Sequence, residues 1–154
     1  MKLYKIKKSN IDNKGLYAAK NIKAGRKVIN YKGRIITVKE TERNKKFDND
    51  KAIYLFNLNK KYDLDGDFEY NTARLINHSC NPNCEVEGKG LKLWIFALRD
   101  IKKGEELSYD YGFGYDKDYK QFVCRCGAKN CVGYIVREGS RWRIKKSNSA
   151  SVSR

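Results

Sequence analysis

One short stretch, residues 74–84, constrains this chain more than any other. It reads Arg-Leu-Ile-Asn-His-Ser-Cys-Asn-Pro-Asn-Cys and holds the only histidine and the only proline of the 154 residues, with two of the five cysteines. Asn77 and His78 can each donate and accept hydrogen bonds. Pro82 prevents a helix from continuing through this stretch. The pattern predicts a dense polar loop that holds a ligand.

Two further blocks follow along the chain. Residues 104–112 read Gly-Glu-Glu-Leu-Ser-Tyr-Asp-Tyr-Gly, and Cys124, Cys126 and Cys131 lie close together near the C-terminus. Cys124 and Cys126 are too close in sequence to bridge each other easily. Three thiols in so short a span predict a metal knuckle that lacks one of the four ligands of tetrahedral zinc.

Together these blocks resemble SET-domain lysine methyltransferases, over residues 3–136. The resemblance implies a mostly β fold of small sheets, with few short helices and a threaded, knot-like active site. It implies a SET domain over residues 1–118 and a post-SET zinc segment over residues 119–136. Residues 137–154 are polar and basic, and they are predicted to form a flexible tail.

The resemblance assigns three tyrosines to catalysis. Tyr111 would orient the substrate amine near the transferring methyl group, Tyr109 would line the lysine channel, and Tyr54 resembles another channel tyrosine. A tyrosine at position 109 implies mono- or dimethylation, because its hydroxyl leaves less room for added methyl groups. Core packing stays the alternative for any one of the eleven tyrosines.

The resemblance also implies two cofactors, S-adenosylmethionine as methyl donor and a zinc ion. The residues that match the donor site are Gly15, Leu16, Tyr17, Arg74, Asn77, His78 and Tyr111. A glycine lets the backbone approach a ligand closely. Tyr17, however, stands where the family has a second glycine. The alternative for Gly15 is a plain hairpin glycine. Cys80 matches the fourth zinc ligand beside Cys124, Cys126 and Cys131, which leaves Cys84 as a buried thiol.

Composition adds a charge argument. The chain carries 34 basic and 18 acidic residues, a formal charge of +16. Such an excess predicts a polyanionic neighbour, DNA or a nucleosome, although the codon bias of an AT-rich genome gives the same composition. Four acids, Asp63, Asp65, Asp67 and Glu69, are candidates to receive a basic peptide or else form a solvated turn.

The cysteine count and the hydropathy exclude other classes of protein. An odd number of cysteines argues against a disulfide framework and for a reducing compartment. No run of residues is apolar enough to span a membrane, so no membrane partner is expected.

Local patterns predict the main elements. Strands are expected over residues 3–7, 28–31, 34–36, 52–58 and 62–65, with a break at Lys32-Gly33. Thr37 and Glu40 form a capping box that starts a helix at Val38, which is expected to reach residue 47. Asn71 is expected to cap a helical turn over residues 72–76. Residues 91–98 predict a core strand that is apolar on both faces.

The sequence therefore predicts a protein-lysine N-methyltransferase that uses S-adenosylmethionine, with a histone as the leading substrate and chromatin in the nucleus as the location. For a viral, bacterial or parasitic source the location would be the host nucleus, and a cytoplasmic location is the alternative. The alternatives for function are a methyltransferase of a non-histone protein, a catalytically silent SET domain that binds chromatin, and a zinc-knuckle protein that binds nucleic acid.

Overall fold

The computed structural model describes residues 2–48 and 54–144. In chain order its strands are β1 (Tyr4–Lys8), β2 (Lys14–Ala18), β3 (Lys27–Tyr31), β4 (Arg34–Thr37), β5 (Leu55–Asn57), β6 (Tyr62–Asp65), β7 (Asn77–His78), β8 (Cys84–Lys89), β9 (Lys92–Ala97) and β10 (Ser108–Tyr109). They form four small sheets with the orders β1-β2, β3-β9-β8, β4-β6-β5 and β7-β10. The architecture is mostly β, as the sequence predicts.

The first α-helix begins where the capping box places it. Helix α1 (Val38–Arg43) is capped by Thr37, whose side chain accepts from the Glu40 N–H at 3.1 Å. The helix ends earlier than predicted, because Asn44 is extended and its side chain accepts from the Lys46 N–H at 2.9 Å. Asparagine competes with helix continuation in this way. A separate 3₁₀ turn then covers Lys45–Phe47.

Two local predictions need correction. The side chain of Asn71 does not cap the 3₁₀ turn Thr72–Leu75. It is fully buried instead, where it accepts from the Lys32 N–H and donates to the Gly66 carbonyl. Strand β9 is fully buried on only one face. Leu93, Ile95 and Ala97 are buried, whereas Trp94 and Phe96 on the other face are half-buried.

The remaining strand predictions are close to the observed bounds. β1, β3, β4 and β6 lie within a residue of their predicted positions, and the chain breaks between β3 and β4 at Lys32-Gly33. A Cβ at Gly33 would collide with the backbone of Asp65, so this turn requires glycine. The predicted strand over residues 52–58 is observed as β5, while residues 52 and 53 lie outside the described part of the chain.

The core lies between the sheets and is built from the inward faces of short strands. Its fully buried side chains include Leu16, Ile22, Tyr31, Ile76, Ile95, Ile101 and Leu107. Alternation of side chains along β9 directs every second residue into this core. Ile76 and Leu107, which directly precede β7 and β10, lie in this core, so the core fixes the two polar blocks of the sequence relative to each other.

The parallel pair β7-β10 brings the two main blocks of the sequence together. Asn77 lies opposite Ser108, and His78 lies opposite Tyr109. The side chain of Asn83 strengthens the contact, since its amide donates to the Glu106 carbonyl at 2.8 Å and its oxygen accepts from the Ser108 N–H at 2.9 Å. Segments far apart in sequence thus form one site.

The start of the predicted tail is folded against the rest of the protein. Residues Glu138–Ser140 form a 3₁₀ turn, and residues 141–144 are helical. Val136, Ser140, Arg141 and Ile144 are buried there. Apolar and small side chains at four-residue intervals give this turn a buried face, which is why it packs. Residues 145–154 lie outside the described part of the chain.

Candidate active site and metal cluster

The Asn77 side chain connects three segments at the base of the site. Its amide nitrogen lies within hydrogen-bond distance of four oxygens, those of Ser9 Oγ, the Asp12 and Lys14 carbonyls and Glu106 Oε1. Ser9 also donates to Glu106 Oε1 at 2.7 Å. A buried amide satisfied in this way fixes the loop between β1 and β2 against the second sequence block.

The predicted donor residues of the first hairpin take structural positions. A Cβ at Gly15 would collide with the Glu106 carboxylate, so glycine is required for the packing of this strand. Leu16 is fully buried, and its carbonyl accepts from the Leu107 N–H at 2.7 Å. The Tyr17 hydroxyl lies 3.2 Å from Glu106 Oε2 and donates toward it. None of the three lines the cavity described below, whose wall is formed by residues 11–14.

His78 is held in one tautomer by its neighbours. The Tyr111 N–H donates to His78 Nδ1 at 3.0 Å, which makes Nδ1 an acceptor and places the ring proton on Nε2. His78 Nε2 then faces Cys80 Sγ at 3.7 Å. Asp110 Oδ1 is 3.8 Å from the same Nδ1, but an accepting nitrogen carries no charge, so this approach is not an ion pair. His78 therefore links the tyrosine block to the cysteine cluster.

Three aromatic rings form the centre of the site. The Tyr109 and Tyr111 ring centroids are 4.9 Å apart, and Phe56 lies 6.2 Å from Tyr109. The Tyr111 hydroxyl donates to the Ile76 carbonyl at 2.6 Å. Burial raises the pKa of both Tyr109 and Tyr111 above the usual value of a phenol. Both phenols therefore stay protonated at neutral pH and can act as hydrogen-bond donors.

Two cavities meet at this aromatic centre. The first cavity has a volume of about 630 Å³ and the second about 580 Å³. Tyr111 and Gln121 line both of them. Of the residues predicted for the donor and the channel, Arg74, Asn77, His78, Tyr111 and Tyr54 line the first cavity, and Tyr109 and Tyr111 line the second.

The two cavities differ in charge. Lys14, Arg74 and Arg125 line the first cavity with Asp12 as its only acid. The Arg74 guanidinium lies 5.9 Å from the Tyr54 ring, and its Nε donates to the Phe68 carbonyl. Among the residues that the structure describes, the second cavity is lined by three acids, Asp63, Asp116 and Asp118, and by no lysine or arginine. In a protein of charge +16, an anionic cavity of this kind favours a cationic ligand.

The four acids considered from the sequence have different surroundings. Asp63 lines the second cavity and accepts from the Asn57 amide at 2.8 Å. Asp65 pairs with Lys46 at 2.6 Å. Asp67 and Glu69 are exposed and line neither cavity. Asp116 and Asp118, which were not singled out from the sequence, supply the remaining charge of the second cavity.

Four cysteines form a cluster suited to a metal ion. The Sγ atoms of Cys80, Cys124, Cys126 and Cys131 all lie within 4.8 Å of one another, with 3.9 Å between Cys80 and Cys124. A tetrahedral zinc ion with bonds of about 2.3 Å requires sulfur atoms about 3.8 Å apart, so the donor set and spacing fit zinc. The contact with the Cys124 thiol, together with His78 and Arg141, lowers the pKa of Cys80.

The fifth cysteine lies outside this cluster. Cys84 is almost fully buried at the start of β8, and burial raises its pKa to about 12. A thiol with so high a pKa stays protonated and unreactive. The structure thus separates four ligand cysteines from one packing cysteine, the division that the sequence predicts.

Arg141 was not identified from the sequence. Its guanidinium is buried, and it donates to the Cys80 carbonyl at 2.8 Å, to Asp110 Oδ2 at 2.8 Å and to the Val136 carbonyl at 2.9 Å. It therefore joins the cysteine cluster to the tyrosine block. The only sequence signal is the four-residue spacing of Val136, Ser140 and Ile144, which indicates a buried face within the predicted tail.

Comparison with known proteins places this geometry in a family context. A family model described as the SET domain matches residues 13–112. Histone-lysine N-methyltransferase trr of Drosophila melanogaster is 39% identical over 132 residues, which cover 82% of this chain and 5% of that protein. Histone-lysine N-methyltransferase 2D of Homo sapiens is 40% identical over 132 residues, covering 82% of this chain and 2% of that protein.

A third relative comes from a distant organism. Putative histone-lysine N-methyltransferase 1 of Plasmodium falciparum is 39% identical over 140 residues, which cover 86% of this chain and 2% of that protein. The chain thus spans no more than 5% of the length of these relatives. No helix in residues 2–48 or 54–144 is long and apolar enough to cross a lipid bilayer.

Proposed function

The chain belongs to the SET domain family, and from this premise we propose that it is a protein-lysine methyltransferase acting on histones. The proposed reaction transfers a methyl group from S-adenosylmethionine to the ε-amine of a lysine. The observation that carries the proposal is the meeting of two cavities of opposite charge at Tyr111. One cavity suits an anionic group of the donor, and the other suits a cationic peptide.

We assign the donor to the first cavity. S-adenosylmethionine, when bound, supplies a methyl group on a positively charged sulfur and also carries a carboxylate. The volume of about 630 Å³ lies in the range typical of small-molecule sites. Lys14, Arg74 and Arg125 offer cationic partners for the carboxylate, while Asn77 and His78 supply backbone polar groups. Gly15, Leu16 and Tyr17 would act by holding the adjoining wall in place.

The acceptor lysine would enter through the second cavity. A free lysine has a pKa near 10.4, so neutralising its amine at pH 7 costs roughly 4.6 kcal/mol. Asp63, Asp116 and Asp118 attract the cationic side chain to the mouth of the cavity. Burial between Tyr109 and Tyr111 then disfavours the charged amine. The residues at the centre thus promote loss of the proton.

The tyrosines would orient the amine and limit its methylation. Because Tyr111 stays protonated, its hydroxyl acts as a hydrogen-bonding group that aligns the acceptor for in-line displacement. The Tyr109 hydroxyl occupies space beside it, and we propose mono- or dimethylated lysine as the product. Tyr54 lines the donor side of the centre and packs beneath Arg74.

The remaining parts of the proposal concern zinc, partners and location. Cys80, Cys124, Cys126 and Cys131 would hold one zinc ion that keeps residues 124–136 folded over the first cavity. The charge of +16 supports contact with DNA or the nucleosome. A histone substrate places the protein on chromatin in a nucleus, whether its own or that of a host, whereas a non-histone substrate would fit the cytoplasm.

The test is a methylation assay with mass spectrometry of the products. The protein is incubated with S-adenosylmethionine and either nucleosomes or free core histones. The Tyr111→Phe variant is compared with Tyr62→Phe, a matched change outside both cavities. We expect a histone peak shifted by one or two methyl groups, a loss of about 10²–10³-fold in kcat for Tyr111→Phe, and no loss for the control.

Three results would separate the alternatives. Donor binding without a histone product would transfer the proposal to a non-histone protein substrate. Donor binding without turnover on any lysine-bearing protein would favour a silent domain that binds chromatin. Absence of donor binding, measured by calorimetry on the folded protein, would overturn the methyltransferase proposal itself.

A further inference from the structure

A groove that is separate from the two cavities lies on the surface formed by β1, β3 and β9. It has a volume of about 540 Å³. We call it the basic groove, and its lining comprises Lys2, Leu3, Tyr4, Arg26, Val28, Ile29, Asn30, Lys32, Tyr70, Thr72 and Trp94. We propose that the basic groove binds single-stranded nucleic acid, with phosphates on its cations and bases on its exposed aromatic rings. This inference does not rest on the proposed methyltransferase activity.

The charge of the basic groove is of one sign. Lys2, Arg26 and Lys32 line it, and no aspartate or glutamate among the described residues does. All three side chains are exposed. Within residues 2–48 and 54–144, none of them lies within 4.0 Å of a carboxylate oxygen. Cations that are grouped in a concave surface and not paired with acids provide a track for phosphates.

Aromatic rings are interleaved with these cations. Tyr70 is 58% exposed, which is unusual for a large aromatic side chain, and one of its faces stacks on Phe68 with centroids 5.2 Å apart. Trp94 lies half-buried in the wall, where Lys27 Nζ is 4.3 Å from its ring centre. Nucleic acid bases stack on such rings only when they are unpaired, so the rings favour a single strand over a duplex.

The basic groove is separate from the active site. No residue of its lining belongs to either the first or the second cavity. The second cavity is lined by acids alone among its charged residues, and the basic groove by cations alone. A cationic peptide and a polyanion are therefore attracted to different faces of the same protein, and both can be bound at once.

The first experiment measures the affinity for a fluorescein-labelled oligothymidylate by fluorescence anisotropy at several salt concentrations. The variant Arg26→Ala/Lys32→Ala removes two charges from the groove, and Lys102→Ala/Lys103→Ala removes two exposed charges from a turn outside the groove lining. Loss of two phosphate contacts reduces the slope of log K against log salt by about 1.4. We expect this reduction, with about tenfold weaker binding at low salt, only for the groove variant.

The second experiment tests the aromatic contribution. Tyr70→Ala removes an exposed ring, and its effect is measured on oligothymidylate and on the duplex that this strand forms with oligoadenylate. Stacking on one base makes about a fivefold or larger difference to affinity. We expect Tyr70→Ala to lose that factor for the single strand and to leave duplex binding unchanged.

Fluorescence of Trp94 places the ligand directly. The chain has two tryptophans, so Trp142→Phe leaves Trp94 as the only one. The proposal is supported if oligothymidylate quenches Trp94 fluorescence with the same midpoint concentration as in the anisotropy titration. Equal losses in the groove variant and the Lys102→Ala/Lys103→Ala control would show that binding is nonspecific and would overturn the proposal. Unquenched Trp94 fluorescence or tighter binding of the duplex would also overturn it.

Discussion

At the scale of single residues, the most informative position is Gly15. The resemblance implies that a glycine here lets the backbone approach the methyl donor. In the structure, side chains of the second sequence block and of Asn77 lie where a side chain of residue 15 would begin. The Glu106 carboxylate and the Asn77 amide pack directly against its Cα. Gly15 thus lets β2 lie close to the second sequence block, and its contact with the methyl donor stays a prediction.

The first prediction is that Gly15→Ala destabilises the fold. The added Cβ would overlap the Glu106 carboxylate, which is itself held by Ser9 and Asn77. Overpacking of this kind costs about 1–3 kcal/mol, or roughly 3–10 °C in Tm for a chain of this length. Gly139→Ala is the matched control, because its Cβ meets nothing within 4 Å. Thermal denaturation followed by circular dichroism measures the effect. Equal Tm values for Gly15→Ala and Gly139→Ala would contradict the packing argument.

The second prediction concerns the acids of the second cavity. Asp116→Asn/Asp118→Asn removes two charges but keeps an oxygen at each position, including the one that accepts from the Asp118 N–H. Partly exposed charge pairs contribute roughly 0.2–1 kcal/mol each, so we expect KM for a basic peptide to rise about threefold to tenfold with kcat unchanged.

Steady-state kinetics with a lysine peptide flanked by arginines measures this effect. The control variant is Glu85→Gln/Glu87→Gln, which removes two exposed acids from β8, away from both cavities. If the control raises KM as much as Asp116→Asn/Asp118→Asn does, net charge rather than the second cavity attracts the peptide.

At the scale of elements, the sequence predicted what depends on local patterns. The helix start after Thr37 and the break at Lys32-Gly33 follow from neighbouring residues, and the structure confirms them. The cysteine cluster is also observed, although Cys80 is distant in sequence from the other three, because the family resemblance and not a local pattern implied its fourth member. Predictions failed where a side chain has a partner distant in sequence. Asn71 bonds Lys32 instead of capping its own turn, and Arg141 bonds Cys80 across 61 positions.

The third prediction is that the cysteine cluster binds one zinc ion per chain. Cys124→Ser removes one of four ligands, and we expect it to lose the metal, whereas Cys84→Ala keeps it because Cys84 lies outside the cluster. Removal of zinc with a chelator should increase amide hydrogen exchange in residues 124–136 and leave β3 and β9 protected. Mass spectrometry under native conditions gives the stoichiometry. Full retention of zinc by Cys124→Ser would contradict the assignment.

The fourth prediction is that Arg141 connects the folded C-terminal segment to this cluster. Arg141→Ala leaves the Cys80 carbonyl and Asp110 without their buried donor, which we expect to cost about 2–4 kcal/mol of unfolding free energy. Arg141→Lys keeps the charge but cannot reach three acceptors at once, so an intermediate loss is expected. The exposed Arg43→Ala is the control, with a change within about 0.5 kcal/mol.

Denaturant unfolding gives these energies, and a competition with a zinc-binding dye gives the rate of metal release. A purely local role would lower the stability without changing that rate. Faster release in Arg141→Ala, partly restored in Arg141→Lys, would show that the segment secures the cluster. A wild-type release rate in both variants would sink the proposed connection.

At the scale of the whole molecule, the charge of one cavity is opposite in sign to the net charge of the protein. The chain carries +16, yet the cavity assigned to the acceptor lysine has only acids among its charged lining residues. A basic peptide is therefore repelled at long range and attracted at short range, while DNA is attracted at every range. Screening by salt weakens interactions beyond a Debye length of about 10 Å at 0.1 M. Salt therefore affects the binding of a basic peptide and the binding of DNA differently.

The fifth prediction follows from this difference and rests on the proposed methyltransferase function. For a free basic peptide, salt removes the long-range repulsion and leaves the contacts with Asp63, Asp116 and Asp118, so KM should change less than about twofold between roughly 50 and 200 mM salt. For nucleosomes, salt competes with every phosphate contact, so KM should rise about tenfold or more. Assays of both substrates over the same salt series compare the two slopes. If KM depends on salt equally for both substrates, the acids of the second cavity do not attract the peptide locally. The net charge of the protein would then determine the binding of the peptide as well as that of DNA.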